Sequence, residues 1–250
     1  VKDGTVTVRD YGRGIPLGKM VDAVSLLNTG GKYDTKAFKK SVGLNGVGTK
    51  AVNALSKDVT VQSIRDDMTR RATFHQGHLV EDSGVISLEE WQKKFGETKE
   101  LKRGTLIEFT PDDSKGLFEG YQFRDETIET MLRNYAYLNT GLTLVYNGQK
   151  FQSKNGLFDL LTENMTVDPL YPIIHIKGED IEIALTHTDQ NNDEYYSFVN
   201  GQHTIQGGTH QAAYREAIGR TIKEFFNKNL DLTDIRNGVV GAIAINVKEP

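Results

Sequence analysis

Val42-Gly43-Leu44-Asn45-Gly46-Val47-Gly48-Thr49-Lys50 is the stretch on which the reading of this chain turns. Gly43, Gly46 and Gly48 fall close together, and Lys50 to Ser56 after them reads as the start of a helix. Glycine allows positive φ and lets a ligand approach the backbone closely. A glycine turn that feeds a helix leaves N–H groups unpaired beside the positive end of the helix dipole, an arrangement suited to phosphate. An ordinary flexible loop has the same composition, so at this point both readings stand. Two familiar motifs nearly fit. Gly43 and Gly48 have P-loop spacing, but Thr49-Lys50 reverses the Lys-Ser/Thr order. Gly46, Gly48 and Ala51, with Asp66 downstream, match a relaxed dinucleotide fingerprint. Both motifs need a buried strand just before the loop, and Asp34-Thr35-Lys36-Ala37-Phe38-Lys39-Lys40-Ser41 is polar and basic instead. Both are therefore rejected.

The chain has 250 residues, of which 37% are hydrophobic, and a net charge of -4. That is enough for one large domain or two modest ones with real cores. The mild acidity argues against a protein that coats DNA along its whole surface. No apolar run is long enough to span a membrane, and no signal peptide is visible. Cysteine is absent, which excludes disulfides and thiolate metal sites and fits a reducing compartment. The six histidines show no metal-ligand spacing. The chain opens on Val1 and runs at once into a strand, and it ends on Pro250 after an apolar run, so both ends read as cut from something longer.

Upstream of the glycine stretch, Thr5 to Arg9 alternates as a half-buried strand does. It leads into Asp10-Tyr11-Gly12-Arg13-Gly14-Ile15-Pro16, an acidic residue at a strand end followed by a sharply shaped turn. Such a carboxylate is either solvated or aimed into a pocket, where it can accept a bond from an amino group. Lys19 to Leu27 is an amphipathic helix with Met20, Val24 and Leu27 on one face, and residues 30–41, between two glycine clusters, have the composition of a lid. Downstream, strands are expected at 59–64, 70–74 and 104–111, with a turn at His75-Gln76-Gly77. A helix is expected over 125–138, then a strand over 142–146 that turns at Asn147-Gly148. The order implies an α+β sandwich with helices on one face of a mixed sheet. The texture changes at Gly156, where a domain boundary is placed. Beyond it come a short helix at 157–161, strands at 173–176, 181–186 and 195–199, a long helix over 211–228 with Thr209 as its N-cap, and a strand over 239–247.

Five blocks then stand together in order: Asp10 to Pro16, Gly30-Gly31-Lys32-Tyr33-Asp34, Gly43 to Ser56, Gly104-Thr105 and Gly207-Gly208-Thr209-His210. On these blocks the chain resembles, over nearly its whole length, the ATPase subunit of bacterial type IIA DNA topoisomerases, the B subunits of gyrase and topoisomerase IV. These belong to the GHKL superfamily, with heat-shock chaperones, histidine kinases and the mismatch-repair protein MutL. The last block separates topoisomerases from kinases and chaperones, and Gly43-Leu44-Asn45-Gly46 is slightly closer to topoisomerase IV than to gyrase. The resemblance implies a GHKL (Bergerat) ATPase α/β sandwich over residues 1–155, followed by a ribosomal-S5-like α/β transducer domain over 156–250, each incomplete at its outer end. It implies ATP and Mg²⁺ as cofactors and a cytoplasmic enzyme that couples ATP hydrolysis to DNA strand passage. The implied partners are DNA, a topoisomerase A subunit, a second B subunit and aminocoumarin inhibitors, with no membrane.

Carried over residue by residue, Asp10 matches the aspartate that binds the adenine amino group, and Thr105 the threonine that supports it. Gly14, Ile15 and Pro16 match a wall of the adenine pocket. Arg13 and Arg71 match the arginines at its mouth, where aminocoumarins are held. Gly31 and Lys32 match the lid beside the phosphates, and Leu44, Asn45, Gly46, Val47 and Gly48 match the triphosphate cradle. There are departures: Asn45 stands where gyrases usually have His, Phe38 where many relatives have Tyr, and Val42 where a Gly is usual. The family's general-base Glu and Mg²⁺-binding Asn are expected on a helix before Val1, and its Gln-Thr-Lys loop after Pro250. No catalytic or metal-binding residue is therefore assigned within the sequence. Two alternatives are a nucleotide- or inhibitor-binding fragment without turnover and a MutL-like repair ATPase. The Gly207 to His210 block argues against the second.

Overall fold

The computed structural model describes residues 1–27, 47–96, 102–116 and 118–248. They fall into two compact units, residues 1–124 and residues 125–248.

The first unit is built on one sheet. Its strands are β1 (Val6–Arg9), β2 (Ser56–Arg65), β3 (Met68–His75), β4 (His78–Asp82), β5 (Ile86–Ser87) and β6 (Gly104–Pro111). Their order is β1-β6-β2-β3-β4, with β5 beside β3. Every pairing is antiparallel. This corrects the expected mixed sheet. Tight turns join β2 to β3 and β3 to β4, and a two-residue turn reverses the chain without a crossover. At Gln76-Gly77 both residues have positive φ, as a hairpin turn requires.

The register sorts the side chains by face. Val6, Phe109, Val59 and Phe74 align in one row, and Val8, Ile107, Val61 and Ala72 in the next. Helix α1 (Met20–Ser25) covers this face with Met20 and Val24, and the buried cluster joins Met20, Val24, Val59, Val61, Ala72 and Phe74. The helix is shorter than the sequence implies. Leu26 is extended, and Leu27 lies beyond the end, 65% exposed. Helix α2 (Gly48–Leu55) is tied to α1 by Asn53 Nδ2 donating to the Val24 carbonyl (3.1 Å) and Thr49 Oγ1 donating to that of Ala23 (3.2 Å). Helix α3 (Leu88–Phe95) packs on β3 and β5.

The second unit has its own sheet. Helix α4 (Asp125–Leu138) and the hairpin β7 (Leu144–Tyr146) with β8 (Gln149–Phe151) come first, then α5 (Leu157–Asn164). Strands β9 (Ile174–Lys177), β10 (Ile181–His187), β11 (Glu194–Val199) and β12 (Gln202–His203) follow. Helices α6 (Thr209–Phe226) and α7 (Leu232–Arg236) lead to β13 (Val239–Ile245). The sheet order is β12-β11-β13-β10-β9, with β11 and β13 parallel because α6 and α7 carry the chain across. Along β13, Val240 and Ala242 pack with Leu157, Leu160, Leu161 and Tyr137. Val239 and Ile243 pack with Tyr214 and Ile218 of α6. Strand β13 is therefore buried on both faces, which is why it reads as a continuous apolar run. Thr209 is the first residue inside α6 rather than its cap; the cap position is Gly208, which offers no side-chain bond. Gly156 falls within this unit at the start of α5.

One carboxylate fixes the start of α5. Glu182 accepts from the Leu157 N–H (2.8 Å) and lies 3.0 Å from both His175 Nε2 and Lys177 Nζ. Burial pushes its carboxyl up, but the Leu157 N–H, His175 and Lys177 outweigh burial and hold it below the usual carboxylate range. A depressed carboxyl contributes stability that is present above its unfolded pKa and lost as pH falls through its folded pKa. Glu182→Gln keeps an acceptor for Leu157 and removes the charge. The expected result is a loss of about 1 kcal/mol at pH 7 that shrinks as pH falls below the ordinary carboxylate pKa. Urea unfolding of both proteins at pH 7 and pH 3.5 tests it. A pH-independent difference would remove the charge from the account.

Candidate nucleotide site

The apolar face of the first sheet ends in a polar row. Arg9 pairs with Leu106, so the next residues, Asp10 and Thr105, fall side by side, and the Asp10 N–H donates to the Thr105 carbonyl at 2.9 Å. Thr105 in turn faces Ser63, and Ser63 faces Arg70. Asp10, Thr105, Ser63 and Arg70 thus continue, across four strands, the face that carries Val61, Ile107 and Ala72.

The close approach of β1 and β6 depends on Gly104. It has φ +131°, and a Cβ there would stand 2.1 Å from the Asp10 carbonyl oxygen. The turn after Asp10 is set by that residue's own carboxylate, since Oδ1 accepts the Gly12 N–H at 2.8 Å. Asp10 is exposed. Gly14, at φ +74°, then presses against β2, where a Cβ would lie 2.9 Å from both the Ile64 carbonyl and Ser63 Oγ. Ile15 packs on the α1 cluster, and Pro16 is exposed.

The predicted residues do not all come together. Asp10, Thr105, Gly14, Ile15 and Pro16 come together at the end of the apolar floor. Arg13 is exposed on the turn between them. Arg71 does not join them. It pairs with Gln62, which pairs with Leu106, and so lies on the opposite face. Its backbone is held there by reciprocal bonds with Ser83. Val47 caps α2 without a side-chain bond, Gly48 opens it, and its first turn has no acidic residue, so among the described residues this helix start suits an anion. Lys50, on that turn, is buried, and burial lowers its ammonium pKa. Gly31, Lys32, Leu44, Asn45 and Gly46 lie outside the described residues.

Two side chains beside the site were not foreseen. Ser63 is fully buried and donates from Oγ to the Ile15 carbonyl at 2.7 Å. Arg70 donates from Nη1 to the Leu17 carbonyl at 2.8 Å, while Nε and Nη2 hold Asp82 at 3.0 and 2.6 Å. The Arg70 guanidinium keeps the Asp82 carboxyl below the usual carboxylate range, so the pair is ionised at neutral pH. A signal existed: Val59, Val61 and Ser63 share one face of β2, and Ser63 is the polar member of an otherwise apolar series.

Known proteins resemble this chain over its whole length. A family model described as DNA gyrase B matches residues 147–250. The B subunit of DNA topoisomerase 4 from Borreliella burgdorferi is 42% identical over 250 residues, covering 100% of this chain and 39% of that protein. The B subunit of DNA gyrase from Helicobacter pylori strain J99 is 31% identical over 277 residues, covering 100% of this chain and 34% of that protein. The chain thus spans little more than a third of the length of these relatives. The crystal structure of the 43K ATPase domain of Thermus thermophilus gyrase B, in complex with an aminocoumarin, superposes with a TM-score of 0.68 at 26% identity, covering 98% of this chain and 68% of that one. The ATPase region of Saccharomyces cerevisiae topoisomerase II shares the fold at 18% identity, with a TM-score of 0.73, 98% of this chain covered and 65% of that one. The α+β fold is therefore that of the GHKL ATPases, and the chain is similar over its whole length to the B subunits of DNA gyrase and topoisomerase IV.

Proposed function

We propose that residues 1–155 bind ATP and that residues 156–250 form part of the transducer of a type IIA DNA topoisomerase, within its B subunit. In the whole enzyme this region would couple ATP binding and hydrolysis to DNA strand passage in the cytoplasm, working with an A subunit, DNA and a second B subunit. A topoisomerase IV-like role is favoured slightly over a gyrase-like one. The observation that carries the reading is the pairing of Asp10 with Thr105 at the end of an apolar floor, under the wall made by Gly14, Ile15 and Pro16.

The residues present fit a nucleotide. Asp10 spends Oδ1 on its own turn, and its other oxygen can accept from the adenine amino group. Ile15 and Ile107, half-buried at the edge of the apolar cluster, can supply surface for the purine. The start of α2 at Gly48 suits the phosphates, and Lys32, Asn45 and the other cradle residues would complete that end. Bound Mg²⁺ neutralises phosphate charge. Among the described residues no group of three or more His, Asp or Glu is gathered to hold a metal, so no residue is assigned to it. This chain's contribution is thus to bind and orient. The base that activates water is not assigned to any of its residues.

Calorimetric titration with a non-hydrolysable ATP analogue and Mg²⁺, and separately with the aminocoumarin novobiocin, tests the proposal. Saturable one-to-one binding of both supports it. Binding of novobiocin alone would make the chain an inhibitor-binding unit with an unformed phosphate end. Binding of neither would sink the reading.

A further inference from the structure

We propose that Ser63 and Arg70 are positioning residues that set the width of the adenine pocket, by hanging its wall from the two central strands that carry its floor. The inference rests on the nucleotide reading above. The wall, Gly14-Ile15-Pro16, has little structure of its own. Pro16 has no N–H, and the next helical turn begins only after it. What holds the wall is a side-chain donor on each side of Pro16. Ser63 of β2 reaches the Ile15 carbonyl at 2.7 Å, and Arg70 of β3 reaches the Leu17 carbonyl at 2.8 Å.

Ser63 and Arg70 are cross-strand partners and belong to the same row as Thr105 and Asp10. The separation between wall and floor is therefore fixed by two bonds that start from the floor. Arg70 is aimed by a second device. Asp82 on β4 takes two of its N–H groups, and Asp82 is itself fixed by the Gly84 N–H at 3.0 Å. A planar guanidinium can serve a carboxylate and a carbonyl at once, whereas a lysine ammonium cannot reproduce that fork. Asp82 thus acts on the pocket only through Arg70, and Arg70 only through Leu17.

The test is titration of wild type, Arg70→Lys, Asp82→Asn, Arg70→Lys/Asp82→Asn and Ser63→Ala with non-hydrolysable ATP and GTP analogues. Arg70→Lys and Asp82→Asn are each expected to weaken the ATP analogue about tenfold, and the double variant no more than Arg70→Lys alone. Ser63→Ala is expected to cost several-fold. All should keep wild-type stoichiometry and lose part of the preference for adenine over guanine, because a loosened wall admits the larger purine substitution pattern. A fall in stoichiometry at unchanged affinity and preference would mean lost folded protein and would overturn a positioning role. Unchanged affinity in all four variants, with Asp10→Asn still losing binding, would overturn this inference and leave the nucleotide reading intact. A wild type that binds no nucleotide overturns both.

Discussion

Asp10→Asn is expected to weaken the ATP analogue roughly a hundredfold while leaving the unfolding midpoint unchanged. The argument starts from the turn. Asp10 Oδ1 accepts the Gly12 N–H, and that bond shapes the chain between β1 and the pocket wall. Asparagine keeps one side-chain oxygen, which can take the same bond, so the turn survives. The second oxygen becomes an NH₂ group. It would then point a donor at the adenine amino group, itself a donor. Flipping the amide restores an acceptor for adenine only by turning the NH₂ toward the Gly12 N–H. One of the two bonds must be lost in either orientation. Losing a charge-assisted bond and gaining a repulsive pair is worth about 3 kcal/mol, or roughly two orders of magnitude in Kd. Calorimetry with the ATP analogue and thermal unfolding of the same samples check both halves. Wild-type affinity in the variant would remove Asp10 from adenine recognition.

The outline of the fold was legible because its elements are strongly patterned. Val6 to Arg9, the strands near 59–64 and 104–111, and the helix at 125–138 follow alternation or helical spacing, and each appears where expected. What escaped was local and short. β4 is exposed at all five positions, so it lacks the alternation that marks a half-buried strand. α3 is eight residues long and buries one large side chain, Trp91. It did carry a signal in Ser87, which accepts the Glu90 N–H, and in Gly96, which ends the helix with positive φ.

The site was legible where the backbone is constrained. Asp10, the glycines and Pro16 mark a turn that only a few residue types can make. The face on which Arg71 falls was not legible, because it depends on the register of β3 against β2, and a shift of one residue reverses every side chain. Arg70 was invisible for the same reason. Its partners, Leu17 and Asp82, are 53 and 12 residues away, and nothing local announces them.

Gly104→Ala should be the most damaging single methyl in the first unit. At φ +131° a side chain is strained before any contact is considered. The added Cβ would also lie 2.1 Å from the Asp10 carbonyl oxygen, 2.8 Å from its carbon and 2.9 Å from the Tyr11 Cα. These are backbone atoms, so no rotamer change relieves the overlap, and the end of β1 must move off β6 by about an ångström. That movement breaks the Asp10 N–H to Thr105 bond and carries the Asp10 carboxylate out of line with Thr105. Strain and the lost bond together are expected to cost about 3 kcal/mol, a drop of roughly 10 °C in Tm, with nucleotide binding lost as well. Gly48→Ala is the control. Nothing lies within 4 Å of its added Cβ, and the position is helical, so thermal stability should hold or rise slightly. The two variants separate glycine required by close strand packing from glycine that merely opens a helix. Asp10→Asn loses affinity without stability, whereas Gly104→Ala should lose both together, because the same backbone contact fixes the sheet edge and aims the carboxylate. Wild-type Tm in Gly104→Ala would mean that β1 and β6 do not meet this closely at Gly104. Wild-type affinity together with a lowered Tm would mean that the carboxylate is aimed by the Gly12 turn alone.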